Sequence, residues 1–167
     1  MIQVYTGNGK GKTTAALGLA LRAAGAGLKV YICQFLKGRY YCELAALKKL
    51  ENIKVEQFGT GCFILKNPTQ KDRVLAKAGL KAAEKCIYGK CYDVIILDEI
   101  NVALKLKILE LKDVISLIKN IPPKTELILT GRSAPPEILK LADLVSFIHD
   151  RKHYYKKGVK ARKGIEY

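Results

Sequence analysis

Residues 6–14 read Thr6-Gly7-Asn8-Gly9-Lys10-Gly11-Lys12-Thr13-Thr14, an arrangement suited to holding phosphate. Glycines at alternate positions let the backbone curl so that successive N–H groups point inward as an anion nest. A helix starting at Lys12 would add its positive dipole end. Lys12 supplies a point charge for the terminal phosphates, and the Thr13 hydroxyl is a ligand for Mg²⁺ or Mn²⁺. The usual pattern G-x-x-x-x-G-K-[ST] is met at Gly11-Lys12-Thr13, whereas Thr6 takes the leading glycine position and the extra glycines fall at Gly7 and Gly9. A Gly-rich turn capping a helix is the simpler alternative. The order strand, loop, helix favours nucleotide binding.

A second constellation is Asp93-Val94-Ile95-Ile96-Leu97-Asp98-Glu99, an apolar strand ending in adjacent carboxylates. Such a strand suits the organisation of a divalent cation in a phosphate-loop protein, one acid reaching the metal directly and the other through water. The expected metal ligands are Thr13, Asp98 and Glu99. Thr130-Gly131-Arg132 ends another strand, and Arg132 reads either as a phosphate or substrate contact or as an exposed loop arginine. His149, His153, Cys86 and Cys91 have spacings that could build a zinc site, but the two pairs lie far apart in sequence.

The elements that must position these groups follow from short, β-branched apolar runs alternating with helical patterns. Strands are expected at Ile2–Thr6, Lys29–Phe35, Ile53–Phe58, Asp93–Asp98, Glu126–Thr130 and Leu144–Ile148. Helices are expected at Lys12–Ala24, Glu43–Leu50, Thr69–Tyr88, Leu111–Asn120 and Pro136–Leu141. Several strands are apolar throughout, as strands covered on both faces should be. The expected architecture is a three-layer α/β/α phosphate-loop NTPase-like fold with a mainly parallel central sheet. Ligands in such sheets gather at the carboxyl ends of the strands, where the loop, Asp98-Glu99 and Arg132 all fall.

The chain has 167 residues, 49% of them hydrophobic, which suits one domain over 1–167 with a sizeable core. Thirty Lys+Arg against fifteen Asp+Glu leave +15, an excess that asks for a polyanionic partner. No apolar run approaches the roughly 20 residues of a membrane span. The N-terminus has no basic leader pattern, and five scattered cysteines read as reduced thiols, so a cytoplasmic protein is expected. Residues 151–167 carry seven basic residues against Glu166, with Tyr154, Tyr155 and Tyr167 among them. That tail reads as a solvated basic segment, a nucleic-acid contact, or a flap over about 149–167 that closes on a ligand.

Taken together, these motifs resemble the corrinoid adenosyltransferase family of the phosphate-loop type. The resemblance runs through residues 4–16, Gln34-Phe35-Leu36-Lys37-Gly38, Leu97-Asp98-Glu99, Thr130-Gly131-Arg132, Leu141-Ala142-Asp143-Leu144-Val145 and the ending Gly164-Ile165-Glu166-Tyr167. It implies transfer of the 5′-deoxyadenosyl group of ATP to the Co(I) of a reduced corrinoid, with triphosphate leaving. It implies ATP contacts from Thr6, Gly7, Asn8, Gly9, Lys10, Gly11, Lys12, Thr13, Thr14 and Arg132, with Lys12 and Glu99 catalytic. It also implies a homodimer and a separate reductant protein.

Members of that family carry Phe and Trp in the segment matching Thr60–Leu65, under the corrin ring; here Phe63 stands one position offset and Ile64 where the Trp is expected. Phe63 and Tyr40 are the candidate corrinoid contacts. Many members also have an N-terminal extension over the site, so a more open site or closure by another segment is expected here. The alternatives are a phosphate-loop nucleoside kinase, with Glu99 as base, and an ATP-dependent nucleic-acid-binding module.

Overall fold

The computed structural model describes residues 1–61 and 67–167. Its six-stranded, all-parallel sheet has the order β3-β2-β4-β5-β1-β6. The strands are β1 (Ile2–Thr6), β2 (Val30–Phe35), β3 (Ile53–Phe58), β4 (Val94–Asp98), β5 (Glu126–Thr130) and β6 (Leu144–Phe147). All six stand where the sequence places them, with ends shifted by a residue at β2, β4 and β6.

Burial of both sheet faces explains why these strands are apolar without alternation. On one face Val30, Ile32, Val94, Ile96 and Ile128 pack against Ala16, Ala20 and Ala23 of α1 (Lys12–Gly25) and Leu47 of α2 (Cys42–Leu47). Small residues one helical face apart let α1 lie close to the sheet. On the other face Tyr31, Cys33, Phe35, Ile95, Leu97, Leu127 and Leu129 meet α3 (Gln70–Tyr88), α4 (Ile100–Lys105), α5 (Leu111–Lys119) and α6 (Pro136–Leu141). The three layers are thus helix, sheet and helix. Helix α4 is absent from the sequence reading: six residues directly after a strand carry too little periodicity to separate helix from turn.

Parallel register brings distant polar residues into one row at the carboxyl edge. Gln57 pairs with Gln34, Gln34 with Asp98, and Tyr5 with Thr130. Three of the five non-glycine residues with positive φ among the described residues sit at this same edge: Leu36 (60°), Glu99 (63°) and Ser133 (57°). Backbone held in that sparse region clusters where a fold aims groups at a ligand.

The long helix α3 is anchored at its start. Thr69 accepts from the Asp72 N–H at 3.3 Å while the Asp72 carboxylate accepts from the Thr69 N–H at 2.9 Å, a closed capping box. Asp72 also accepts from the Thr60 hydroxyl at 2.8 Å, tying the strand-end loop to the helix start. The Thr69 hydroxyl holds the Asp72 carboxyl below its ordinary value of 3.8. A depressed carboxylate stabilises fully above its unfolded value and loses that contribution as the pH falls through the folded one. Asp72→Ala is therefore expected to cost about 1–2 kcal/mol in urea unfolding at pH 7. The gap to the unaltered chain should close as the pH is taken well below 3.8.

Candidate active site

The loop between β1 and α1 is shaped by the strand beside it. Gly7 has φ 97°, and a Cβ there would lie 2.4 Å from the Ile148 carbonyl oxygen, so no other residue fits without moving the exit of β6. The Gly9 N–H donates to Ile148 O at 2.8 Å, and the Lys10 N–H donates to Asp150 Oδ1 at 3.0 Å. Two amides of the expected nest are thus held by the chain itself. The first intrahelical bond of α1 runs from Ala15 N to Gly11 O, and Gly11 provides no side-chain cap. The first-turn amides from Lys12 to Thr14 therefore precede any intrahelical acceptor, as an anion site at a helix start requires.

Lys12 is buried and donates to Gly9 O at 2.6 Å. Burial, with help from Arg132, pulls its ammonium below the ordinary lysine value. A desolvated ammonium in a curled loop is a strong partner for phosphate oxygens.

Asp98, at the end of β4, is 1% exposed and accepts four side-chain hydrogen bonds. Its Oδ1 takes the Thr13 hydroxyl at 2.9 Å and the Thr130 hydroxyl at 2.7 Å. Its Oδ2 takes the Lys37 ammonium at 2.8 Å and the Gln34 amide at 3.2 Å. The Glu99 N–H in turn donates to the Thr130 oxygen at 3.0 Å, so Thr130 ties both acids together. Burial and then the neighbouring Asp98 raise the Glu99 carboxyl above its ordinary value, against Lys37, Lys12 and Arg132. The Thr13–Asp98 contact brings a neutral and an anionic hard oxygen together at the helix start, a donor set that fits Mg²⁺ or Mn²⁺.

The tail folds onto the loop. Lys10 donates to the Tyr154 hydroxyl at 2.5 Å and pairs with Glu166 at 2.8 Å. The Tyr154 hydroxyl donates to Glu166, and the Arg162 guanidinium lies 4.9 Å from the Tyr154 ring centre. Lys10, Tyr154 and Arg162 hold the Glu166 carboxyl far below its usual range. Tyr155 and Tyr167 are exposed, so Tyr154 is the tyrosine of this contact.

The structure therefore gathers Thr6, Gly7, Gly9, Lys10, Gly11, Lys12, Thr13, Asp98 and Glu99 at one edge. Thr6 is buried and its hydroxyl accepts from the Ala134 N–H at 3.2 Å. Asn8, Thr14 and Arg132 are exposed at the same edge. Tyr40 is 63% exposed, whereas its neighbour Tyr41 lies under Lys37 with the ammonium 5.1 Å from the ring centre. Phe63 lies outside the described residues. Gln34, Lys37 and Thr130 were not expected as site residues. All three lie in segments that carry the family resemblance, and Gln34 is also a lone polar residue inside an apolar strand.

A parallel sheet with this loop, this carboxylate and helices on both faces defines a phosphate-loop nucleotide-binding protein. The same fold is found in the crystal structure of a KaiC-like protein from Pyrococcus horikoshii OT3, with a TM-score of 0.57 and 17% identity over 90% of this chain and 74% of that one. The profile of the family described as ATP:corrinoid adenosyltransferase BtuR/CobO/CobP matches residues 1–167. The chain is 36% identical to a corrinoid adenosyltransferase of Pseudomonas aeruginosa, covering 100% of this chain and 83% of that protein. It is 35% identical to corrinoid adenosyltransferases of Escherichia coli K12 and Salmonella typhimurium, covering 100% of this chain and 85% of each.

The chain belongs to the ATP:corrinoid adenosyltransferase family. It is an enzyme of adenosyl transfer from ATP to a corrinoid, and the kinase and nucleic-acid readings give way to that membership. Among the described residues, no helix is long and apolar enough to cross a membrane.

Replacing Thr130 by Val keeps the shape but removes both its donation to Asp98 and its acceptance from Glu99. Loss of a buried partner costs about 1–3 kcal/mol. Thr130→Val is expected to lower unfolding stability by that amount and to weaken ATP binding, read by denaturant titration and calorimetry.

Proposed function

We propose that the chain aligns a reduced corrinoid with ATP so that the Co(I) electron pair attacks C5′. The C5′–O bond breaks, its electron pair leaves with triphosphate, and the cobalt ends as an alkylated Co(III) centre. Electrons balance within the two substrates. Cobalt is the nucleophile, so no side chain need be activated and no proton need move. What the protein contributes is alignment and stabilisation of a highly charged leaving group.

Residues Thr6 to Thr14 and Arg132 hold the nucleotide in this reading, with Lys12 acting on the departing phosphates. Thr13, Asp98 and Glu99 would hold Mg²⁺ or Mn²⁺, which when bound supplies charge neutralisation on the triphosphate. Glu99, its carboxyl raised by burial, acts from beside Asp98 rather than as a base. The observation that carries the reading is the convergence of buried Lys12 and the Thr13–Asp98 contact at one sheet edge in a member of this family.

Residues 1–167 act as one domain, and the segment 149–167 serves as a flap over the triphosphate. The contacts of Asp150, Tyr154 and Glu166 with Lys10 support this. Tyr40 and Phe63 are the corrinoid-binding residues in this reading. A homodimer, a separate reductant protein and a cytoplasmic setting complete the proposal on the strength of the family.

The test is addition of ATP to the protein with chemically reduced cob(I)alamin. Adenosylcobalamin, followed by its visible spectrum, and triphosphate should appear in equal amounts. Lys12→Ala should lose at least about a hundredfold in rate, as expected for removing one preorganised charge contact. Full activity in that variant would refute the assignment of the loop.

A further inference from the structure

Five residues of the turn after β2, Leu36 to Tyr40, have no part in the reading above except for the exposed Tyr40. Yet Lys37 is a second cation held at the carboxyl edge. Its side chain is 13% exposed, its ammonium is 2.8 Å from a carboxylate that is 1% exposed, and the Tyr41 ring lies below it. The Lys37–Asp98 contact is thus a largely buried ion pair. The opposite oxygen of the same carboxylate takes the Thr13 hydroxyl. One carboxyl group therefore separates the Lys37 ammonium from the helix start that receives phosphate.

The turn that presents Lys37 is closely packed and braced by hydrogen bonds. Leu36 has φ 60°, and a Cβ on Gly38 would lie 2.1 Å from the Gly59 carbonyl oxygen. Gln57, on the neighbouring strand, donates to both Gln34 Oε1 at 3.0 Å and Arg39 O at 3.1 Å, bracing the turn against the residue that holds Asp98. A lysine needed only for surface charge requires no such support.

We propose that Lys37 is a further nucleotide-site residue, a resident cation that offsets Asp98 and Glu99 and donates to the triphosphate as it leaves. A buried and a half-buried acid beside a phosphate site repel the incoming polyanion. Lys37 cancels that repulsion, and its remaining N–H groups can meet phosphate oxygens that gain charge when the C5′–O bond breaks. The inference rests on the reading that a triphosphate nucleotide occupies the loop.

The test uses calorimetric titration of tripolyphosphate, ATP and adenosine at fixed Mg²⁺ into the full chain. Lys37→Gln keeps a hydrogen-bond donor for Asp98 but removes the charge, and Lys37→Arg keeps both. Lys37→Gln is expected to weaken tripolyphosphate and ATP about tenfold or more, the worth of one charge-assisted hydrogen bond, with adenosine unchanged. Lys37→Arg should restore most of that loss. Unchanged or tighter tripolyphosphate binding by a folded Lys37→Gln would show that the Lys37 charge does not act on the phosphates, and would overturn the proposal. Should Lys37→Gln melt early, Lys37→Arg decides: normal stability with tripolyphosphate binding near that of the unaltered chain supports it, and normal stability with a tenfold loss overturns it. Failure of the unaltered chain itself to bind tripolyphosphate would instead sink the nucleotide reading of the loop.

Discussion

A carboxylate withdrawn from water must find donors for its oxygens, and at Asp98 that demand organises the carboxyl edge of the sheet. Its four donors come from four separate segments: Thr13 from α1, Gln34 from β2, Lys37 from the following turn, and Thr130 from β5. An isolated buried charge costs several kcal/mol, and losing any partner leaves part of that cost uncompensated. The sheet order serves the same end. Because β5 lies between β4 and β1, Thr130 stands next to Asp98 and can bind Asp98 and the Glu99 amide together. The left-handed conformation of Glu99 then turns the chain into α4 and leaves the second carboxyl half-buried beside the first.

The phosphate loop is the second locus of constraint, and it is closed from the other side. Its glycines are needed less for curl alone than for contact, since Ile148 and His149 backbone would meet a Cβ at Gly9 at 2.8–2.9 Å. The loop and the end of β6 are therefore one mechanical unit. Asp150 continues it by taking the Lys10 N–H, and Lys10, Tyr154, Arg162 and Glu166 form a charged cluster that carries the tail across the loop. Much of the tail's charge stays in solvent: Lys152, Lys156, Lys157 and Lys160 are exposed. A basic segment near a phosphate loop raises local anion concentration without each residue making a contact. The remaining positive charge is spread over exposed lysines of the helices, which one nucleotide does not require.

The likeness to a KaiC-like protein at 17% identity shows how little of the sequence the fold needs. Alternating apolar strands and helices specify the layers, and relatives at 35–36% identity share the chain from end to end. Chemistry in such a fold resides in the loops at one edge, where a few residues decide which bond of ATP is attacked. Here the absence of any required proton transfer matches an edge built of charges and hydroxyls.

All six strands and the long helices were readable because their cause is local: runs of Val, Ile and Leu bounded by Gly and Pro, and a Thr69-x-x-Asp72 cap. The short α4 was not, because six residues span less than two turns. The phosphate loop and Asp98-Glu99 were legible as motifs, since each is contiguous and its function depends on spacing along the chain. What the motifs could not say is who satisfies Asp98. Thr13 lies 85 residues away, Lys37 61 and Thr130 32, and no periodicity in the sequence links them. Only parallel pairing in a definite order sets those residues side by side, because burial forces the carboxylate to collect its donors from whichever strands the sheet brings next to it.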